Sequence, residues 1–417
     1  MVREFNRRDV LGSFGGAALA GLAGCISQSG GDESFEARLG VLLPLTGDLA
    51  SVGKPIRDGA ILPKNVIESG DAPITIDQRV EDSQTDPQAA VSTAEDLVNA
   101  GYPMITGPAS SGVNMQVTQE SLIPNGVVGC SPSSTSPNVT TLDDDDLIFR
   151  TAPSDALQGQ VMAQVGSENL ESNSASALYV NNDYGQALFE SFNGAYEDRG
   201  ATVETGVAFR KEKDSYTTEL GEAMESDPDM LVVIGYPASG IQIFRDFYSE
   251  YSTDTDILVT DGLQSGDLPG NVGEEMSNVY GTAPLPSGPG NDAFVQQYED
   301  EYDRSPGVFN AHAYDASAVL LLAATRAGEN DGDTIKEEMR TVANPGDDSG
   351  TEISPANLIE GIELASQGEP INYVGASSSV DFDENGDMKA VSYSFWRFDT
   401  SVDGNIEQVS TVEFGGS

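Results

Sequence analysis

Histidine, cysteine and positive charge are all scarce in this chain of 417 residues. The one imidazole is His312. A Ser-His-Asp hydrolase needs a histidine oriented by a carboxylate and facing a nucleophile, and no G-x-S-x-G elbow occurs. A zinc site would need Cys or His pairs, which are missing. His312 stands among Phe309, Ala311, Ala313 and Tyr314, so it reads as a packed or rim histidine. The two cysteines are Cys25 and Cys130; Cys130 ends a predicted buried strand and reads as a small core residue, which leaves no disulfide framework. Lys and Arg total 20 against 68 Asp and Glu, for a net charge of −48. Such a surface repels nucleic acid and anionic lipid heads. The acidic residues are spread along the chain, as on a solvated surface rather than an acidic tail. Salt near molar levels cuts the Debye length to about 3 Å and removes most of the self-repulsion. The charge therefore reads as adaptation to a salty milieu. Beyond the N-terminal stretch, no segment is apolar for long enough to span a bilayer.

That stretch reads as an address rather than as fold. Asn6-Arg7-Arg8-Asp9-Val10-Leu11 is a twin-arginine pattern, and Val10 to Ala23 is apolar but short and Gly-rich. Leu22-Ala23-Gly24-Cys25 resembles a lipobox, in which the Cys is lipidated and becomes the new N-terminus. The expectation is a signal over 1–24, a lipid on Cys25, a flexible tether over 25–35 and a site of action on the outer face of the cell membrane. A second acyl chain makes such an anchor stable.

From Ala37 onward, short apolar runs alternate with helical spacing. Strands are predicted at 37–43, 74–80, 104–106, 127–130, 147–150, 177–180, 202–209, 230–234 and 257–260. Helices are predicted at 56–69, 87–99, 111–123, 156–170, 186–199, 217–225 and 239–251, and later at 292–302, 309–326, 334–342 and 356–366. Pro63 should kink or shorten the first helix, and Asp155 can cap the helix from Ala156. Alternation of this kind calls for parallel sheets with helices on both faces. The number of strands is too large for one short sheet, and two doubly wound α/β lobes fit best. Asn278 to Pro289 is Gly- and Pro-rich, a crossing between lobes. Val380 to Asp399 reads as two strands around Asp383-Glu384-Asn385-Gly386-Asp387. That turn opens like a calcium loop, but Ser392 stands where a bidentate Glu belongs, so it reads as a tight hairpin turn. Gly47 to Pro55 resembles a phosphate loop but has the wrong glycine spacing and lacks the metal-binding hydroxyl.

Met104 to Thr140 carries the most chemistry. Two short strands flank a helix, and each ends in a loop rich in small hydroxyl residues, Pro108-Ala109-Ser110-Ser111 and Pro132-Ser133-Ser134-Thr135. Parallel strands joined by a helix deliver both loops to one sheet edge, where ligands of open α/β sheets sit. Hydroxyls and free backbone N–H groups there suit a carboxylate. Without a catalytic histidine or metal set, the pattern speaks for binding without turnover, with no cofactor.

These residues carry a resemblance. The chain resembles the solute-binding proteins of branched-chain amino acid ABC importers, which have the type I periplasmic binding fold. The matching pieces are Gly40 to Gly47, Gly107 to Ser111, Pro132 to Pro137, Phe149 to Asp155, Asp183-Tyr184-Gly185, Gly235-Tyr236-Pro237 and Ala313 to Ala316. The resemblance implies two lobes on hinge strands, 36–154 with 284–376 and 155–283 with 377–417, closing on a ligand like a flytrap. It implies that Ser110 and Thr135 hold a ligand carboxylate and that Ser133 offers its carbonyl to the ammonium. Asp261 would pair the ammonium from the second lobe, while Tyr184 and Tyr236 close over the ligand. The implied partners are a small zwitterion, an ABC permease and its ATPase subunits. Leucine, isoleucine or valine is the default ligand; short amides, urea or a sensory role of the same fold stay open. One departure bears on the pocket: Val52 precedes Gly53, where the family often has an aromatic residue.

Overall fold

The computed structural model describes residues 34–344 and 350–414. The expected signal over 1–24, the lipid site Cys25 and all but the last two residues of the tether lie outside the described residues. Phe35 already belongs to the first strand.

Two sheets organise the chain. The first has five strands, β1 (Phe35–Leu43), β2 (Ile74–Asp82), β3 (Met104–Thr106), β4 (Val128–Ser131) and β5 (Ile148–Arg150), in the order β2-β1-β3-β4-β5. All of its pairings are parallel. The second contains β6 (Ser174–Val180), β7 (Thr202–Phe209), β8 (Met230–Ile234), β9 (Asp256–Val259) and β10 (Val279–Pro284). A small parallel pair, β11 (Thr351–Ile353) and β12 (Ile371–Tyr373), follows in the chain. β13 (Val391–Phe398) and β14 (Ile406–Phe414) then complete the second sheet, whose order is β14-β13-β10-β9-β8-β6-β7. β13 and β14 pair antiparallel at its edge. The apolar runs are buried along their length, as strands covered on both faces must be; every residue of β3, β4, β5 and β8 is buried. Cys130, in β4, is a free thiol in that core.

Several sequence expectations are corrected here. Asn278 to Pro289 is not a bare crossing, because its first half is β10, held between β9 and β13. Within it, a Cβ on Gly281 would lie 2.2 Å from the Trp396 ring, so glycine makes room for the largest buried side chain. Around Asp383 to Asp387 only an isolated Phe382–Met388 bridge forms, and the strand that follows pairs with the unforeseen β14. Asp383 Oδ1 accepts the backbone N–H groups of Asn385 at 2.7 Å and Asp387 at 3.0 Å, which makes the turn. The first helix runs from Ala50 to Glu68 through both Pro55 and Pro63. Tertiary packing holds it: Gly59 lies so close to the Asn310 carbonyl that a Cβ would come within 2.3 Å.

The helix Asn310–Ala327 is buried through almost all its length and packs against both the first sheet and helix Ala50–Glu68. Its Asp315 accepts bonds from Tyr373 OH at 2.7 Å, from the N–H groups of Ala376 at 2.9 Å and Ser377 at 2.7 Å, and from the Ser377 hydroxyl at 2.5 Å. Burial nevertheless pushes this carboxyl up to about 6. Asp315 thus ties down the segment on which the chain returns to the second sheet. Chain crossings between the sheets run side by side, with Ser287 N–H on Ser377 O at 3.0 Å and Leu285 N–H on Ser392 O at 2.8 Å. No described helix is long and apolar enough to cross a membrane.

Candidate functional site

The carboxyl ends of the two sheets face each other across a narrow cavity. Ala109, Ser110, Ser111 and Ser133 line it from the first sheet's loops, and Tyr184, Tyr236, Asp261 and Gly262 from the second's. Leu49, Val52, Ile56, Val308 and Phe309 supply its larger apolar side chains. Its empty space is about 340 Å³, with room for little more than water where the lobes touch. Five of the six predicted ligand residues therefore meet at one place.

Local structure explains how each arrives. β3 is followed by Gly107, whose φ of 113° requires glycine and where a Cβ would lie 2.2 Å from Leu42 O, and the chain then turns to Ser110. Ser110 precedes helix Ser111–Val117 with a hydroxyl not spent on capping. That hydroxyl instead meets Tyr236 OH at 3.1 Å across the cleft. Ser133 follows β4. The Ser134 and Ser136 carbonyls are held by Arg150 and that of Thr135 by Asp155 N–H, so the Ser133 carbonyl is spent on none of these. Tyr184 and Tyr236 open the helices after β6 and β8, and their rings stack at 5.6 Å with a 12° angle. Burial pushes both phenols up, so they act as neutral donors and acceptors.

Thr135 is where the structure departs from the expected set. It is buried behind the cavity lining, and its hydroxyl donates to Asp155 Oδ2 at 3.0 Å. Asp155 is not the helix cap either; Ser154 caps helix Asp155–Gln164, accepting from Ala156 N–H. Asp155 turns inward, fully buried, and its Oδ1 has no hydrogen-bond partner. One turn along, Gln158 Nε2 donates to Asp261 Oδ1 at 2.8 Å. Tyr184 OH lies 2.7 Å from Thr260 Oγ1 and donates to the same Asp261 oxygen at 3.2 Å. Both donors land on Oδ1, which leaves capacity at Oδ2. Burial pushes Asp261 up to about 6, while Asp155 is held well above the usual carboxylate range by burial and then by the charge of Asp261. Two acids thus share one desolvated corner, as expected of a place built to receive a cation.

Sequence reasoning missed Asp155, Gln158 and Asp48. The D-x-x-Q spacing, which puts Asp155 and Gln158 on one helix face, was the available signal. Asp48 is a latch. Its carboxylate accepts Ser239 N–H at 2.9 Å and the Ser239 hydroxyl at 3.0 and 2.9 Å, so a loop of the first lobe caps helix Pro237–Glu250 of the second. Burial raises this carboxyl and the Ser239 bonds offset part of the rise. Asp48→Ala should shift the empty protein toward an open form by about tenfold, since bonds to a charged group contribute about 1.5–3 kcal/mol. A larger radius of gyration in small-angle scattering checks it; unchanged scattering would exclude the latch.

His312 does not line the cavity; it is buried with its ring against that of Phe309 at 5.4 Å. Burial drives it down to about 3, so it stays neutral. Among the described residues, no group of three or more His, Cys, Asp and Glu side chains is placed to hold a metal ion.

A family model described as periplasmic binding protein matches residues 36–353. A chemotactic signal transduction system substrate-binding protein of Halobacterium salinarum is 27% identical over 82% of this chain and 82% of its own. The leucine-, isoleucine-, valine-, threonine- and alanine-binding protein of Pseudomonas aeruginosa is 23% identical over 71% of this chain and 80% of its own. In fold, the chain is similar to a leucine binding protein of Thermotoga maritima, with TM-score 0.75 at 24% identity over 90% of this chain and 98% of that one. It is also similar to a branched-chain amino acid transporter substrate binding protein of Streptococcus pneumoniae solved with isoleucine, with TM-score 0.73 at 20% identity over 91% and 99%.

Proposed function

The chain belongs to the periplasmic binding protein family, and on that footing we propose that it captures a small zwitterion, most simply leucine, isoleucine or valine, between its lobes for an ABC importer. The observation that carries this is the make-up of one cavity, whose lining brings hydroxyls and Asp261 together with five apolar side chains. The ligand carboxylate takes the place of the Tyr236–Ser110 contact and rests on Ser110 and neighbouring N–H groups. The ammonium meets Asp261 Oδ2 and the Ser133 carbonyl. Thr135 acts one layer back, orienting Asp155. Tyr184 and Tyr236 close over the ligand, and closure removes water from both charges.

The working division is 36–154 with 284–376 as one lobe and 155–283 with 377–417 as the other. Delivery is to a permease with ATPase subunits, from a lipid on Cys25 at the outer membrane face. Calorimetry in molar salt tests the reading: micromolar or tighter binding of at least one aliphatic amino acid supports it, and absence of heat with every amino acid, amide and urea overturns it.

Affinity should fall in acid. An ammonium pairs only with ionised carboxylate, and Asp261 is raised to about 6 in the empty site. Below that value ligand must displace a proton, so binding is about tenfold weaker at pH 5 than at pH 7.5. A flat profile from pH 5 to 8 would exclude Asp261 as the ammonium partner.

The Halobacterium salinarum relative favours a second reading, in which the loaded protein reports to a sensory transducer. Crosslinking in membranes at high salt separates the two, through recovery of a permease or of a transducer.

A further inference from the structure

Asp261 is held by one oxygen, and its two donors differ in kind. Gln158 Nε2 donates to Asp261 Oδ1 at 2.8 Å and to the Thr282 carbonyl at 3.2 Å, and it lies 3.4 Å from Thr282 Oγ1. Turned the other way, the amide would set its own carbonyl oxygen against Asp261 Oδ1 and the Thr282 carbonyl, so it has one orientation only. Tyr184 is less committed: its hydroxyl has a single proton and lies 2.7 Å from Thr260 Oγ1 but 3.2 Å from Asp261 Oδ1. Two packed elements fix the amide in space. Thr282 lies within β10, opposite Phe395 of β13, so this acceptor belongs to the sheet rather than to a loop. Gly159, next to Gln158, packs helix Asp155–Gln164 so closely on helix Asp183–Asp198 that a Cβ would lie 2.6 Å from Ser191 Cβ and 2.7 Å from Phe192 N. Gln158 and Thr282 are fully buried, and neither lines the cavity.

Resting on the zwitterion reading, we propose that Gln158 is a positioning residue of that site: its amide holds Asp261 by Oδ1 so that Oδ2 stays available to the ligand's ammonium. An unheld aspartate carboxylate turns about its last bond, a broad torsion, and offers either oxygen. With Oδ1 fixed by a donor anchored on the sheet, that rotation is stopped before the ligand arrives. The ammonium then meets an acceptor already in place, and less ordering is left for binding to supply. The same bond acts on charge. A hydrogen bond to the ionised form favours that form, and the bond from Gln158 opposes the rise that burial gives this carboxyl. Gln158 therefore keeps Asp261 ionised as well as aimed.

The groups around Asp261 leave this effect readable. Asp155 acts on it from the start of the helix that carries Gln158. Tyr184 and Tyr236 act from the starts of helices Asp183–Asp198 and Pro237–Glu250, and Tyr393 from β13. Arg150, at the end of β5, adds a positive charge on the side of Asp155. Burial raises the three phenols, so they stay neutral between pH 5 and 8. All of these groups remain when Gln158 is changed. A difference in pH response between wild type and variant then belongs to the lost bond.

The test is Gln158→Met on the full chain in molar salt, a change that keeps the length of the side chain and removes the donor. The probes are L-leucine, L-isoleucine, L-valine and L-alanine, read by calorimetry. Affinity for the tightest of them at pH 7.5 should fall about tenfold or more, as for loss of a bond to a charged group. The acid limb of its pH profile should move up by about one unit. In an Asp261→Asn background the same change should alter affinity by less than about threefold, because the acid it positions is gone. Melting curves of the unliganded variant give a second readout: the fall of stability with rising pH should continue about one unit further than in wild type. Gln158→Asn keeps the amide but is one methylene short; it should shift the profile the same way and serves if the methionine variant does not fold. Unchanged affinity and pH profile in the folded variants, or an equal loss in the Asp261→Asn background, would overturn the inference while leaving the zwitterion site intact. Wild type that binds none of the four amino acids would overturn both.

Discussion

Asp261→Asn lowers ligand affinity by a hundredfold or more and at the same time stabilises the empty protein. Both effects follow from one buried charge. Asp261 is 4% exposed, and its two donors, Gln158 and Tyr184, both reach the same oxygen. Asparagine keeps an acceptor for them and removes only the charge. The ammonium then loses its desolvated counter-ion, and truncating one partner of a buried hydrogen-bonded charge pair costs about 2–5 kcal/mol of binding. In the empty protein the sign is opposite. The carboxyl is raised by burial, so the native state holds a proton more tightly than the unfolded chain does, and stability falls as pH rises from about 4 through about 6. At neutral pH the ionised, unpaired acid is a standing cost on the order of 2 kcal/mol, which asparagine removes. Thermal melts of the unliganded variant at pH 7.5 should therefore end a few degrees higher, and the gain should vanish near pH 4. An equal or lower melting temperature at neutral pH would contradict the account of Asp261 as a site kept under charge for its ligand. Asp155, whose Oδ1 has no partner, adds to the same cost.

Asp387→Ala should cost about 3–5 kcal/mol of folding stability, the largest single loss expected outside the hydrophobic core. Arg150 is fully buried at the end of β5. Its Nε donates to Asp387 Oδ1 at 2.5 Å and its Nη2 to Oδ2 at 2.7 Å, a two-pronged pair. Nη1 reaches the carbonyls of Ser134 at 3.2 Å and Ser136 at 2.9 Å, and Nη2 also reaches Thr140 Oγ1 at 2.8 Å. The guanidinium thus holds the loop behind Ser133 against the turn that closes at Asp387. Removing the acid leaves a desolvated cation beside carbonyls, and molar salt does not reach it. Urea denaturation in high salt measures the loss. The pair Arg150→Met with Asp387→Leu should cost less than Asp387→Ala alone, because no charge is then stranded. A single-variant loss under 1 kcal/mol would show that the pair only decorates the turn.

The one gap in the predicted site has a physical cause. Ser110, Ser133, Tyr184, Tyr236 and Asp261 each follow the carboxyl end of a strand, and that rule of parallel sheets is readable from spacing alone. Thr135 obeys the same rule yet falls behind the lining, because Asp155, read as a cap, turned inward and took its hydroxyl. A helix start with Ser154 and Asp155 in succession offers two candidate caps, and local sequence does not say which one the core will claim. The Gly- and Pro-rich run from Asn278 misled in a similar way: glycine in an apolar run signals either a break or a close approach, and at Gly281 it is Trp396, over a hundred positions away, that decides which.

By itself the sequence determined the parallel α/β alternation, the acidic surface and the strand ends from which a binding site could be built. These are matters of period, composition and short-range order. The tertiary structure alone decided which hydroxyls face the cleft, that two acids share one buried corner and that Asp48 latches one lobe to the other. Each depends on groups far apart in the chain meeting where water is excluded, and the cost of a buried charge exists only once they have met.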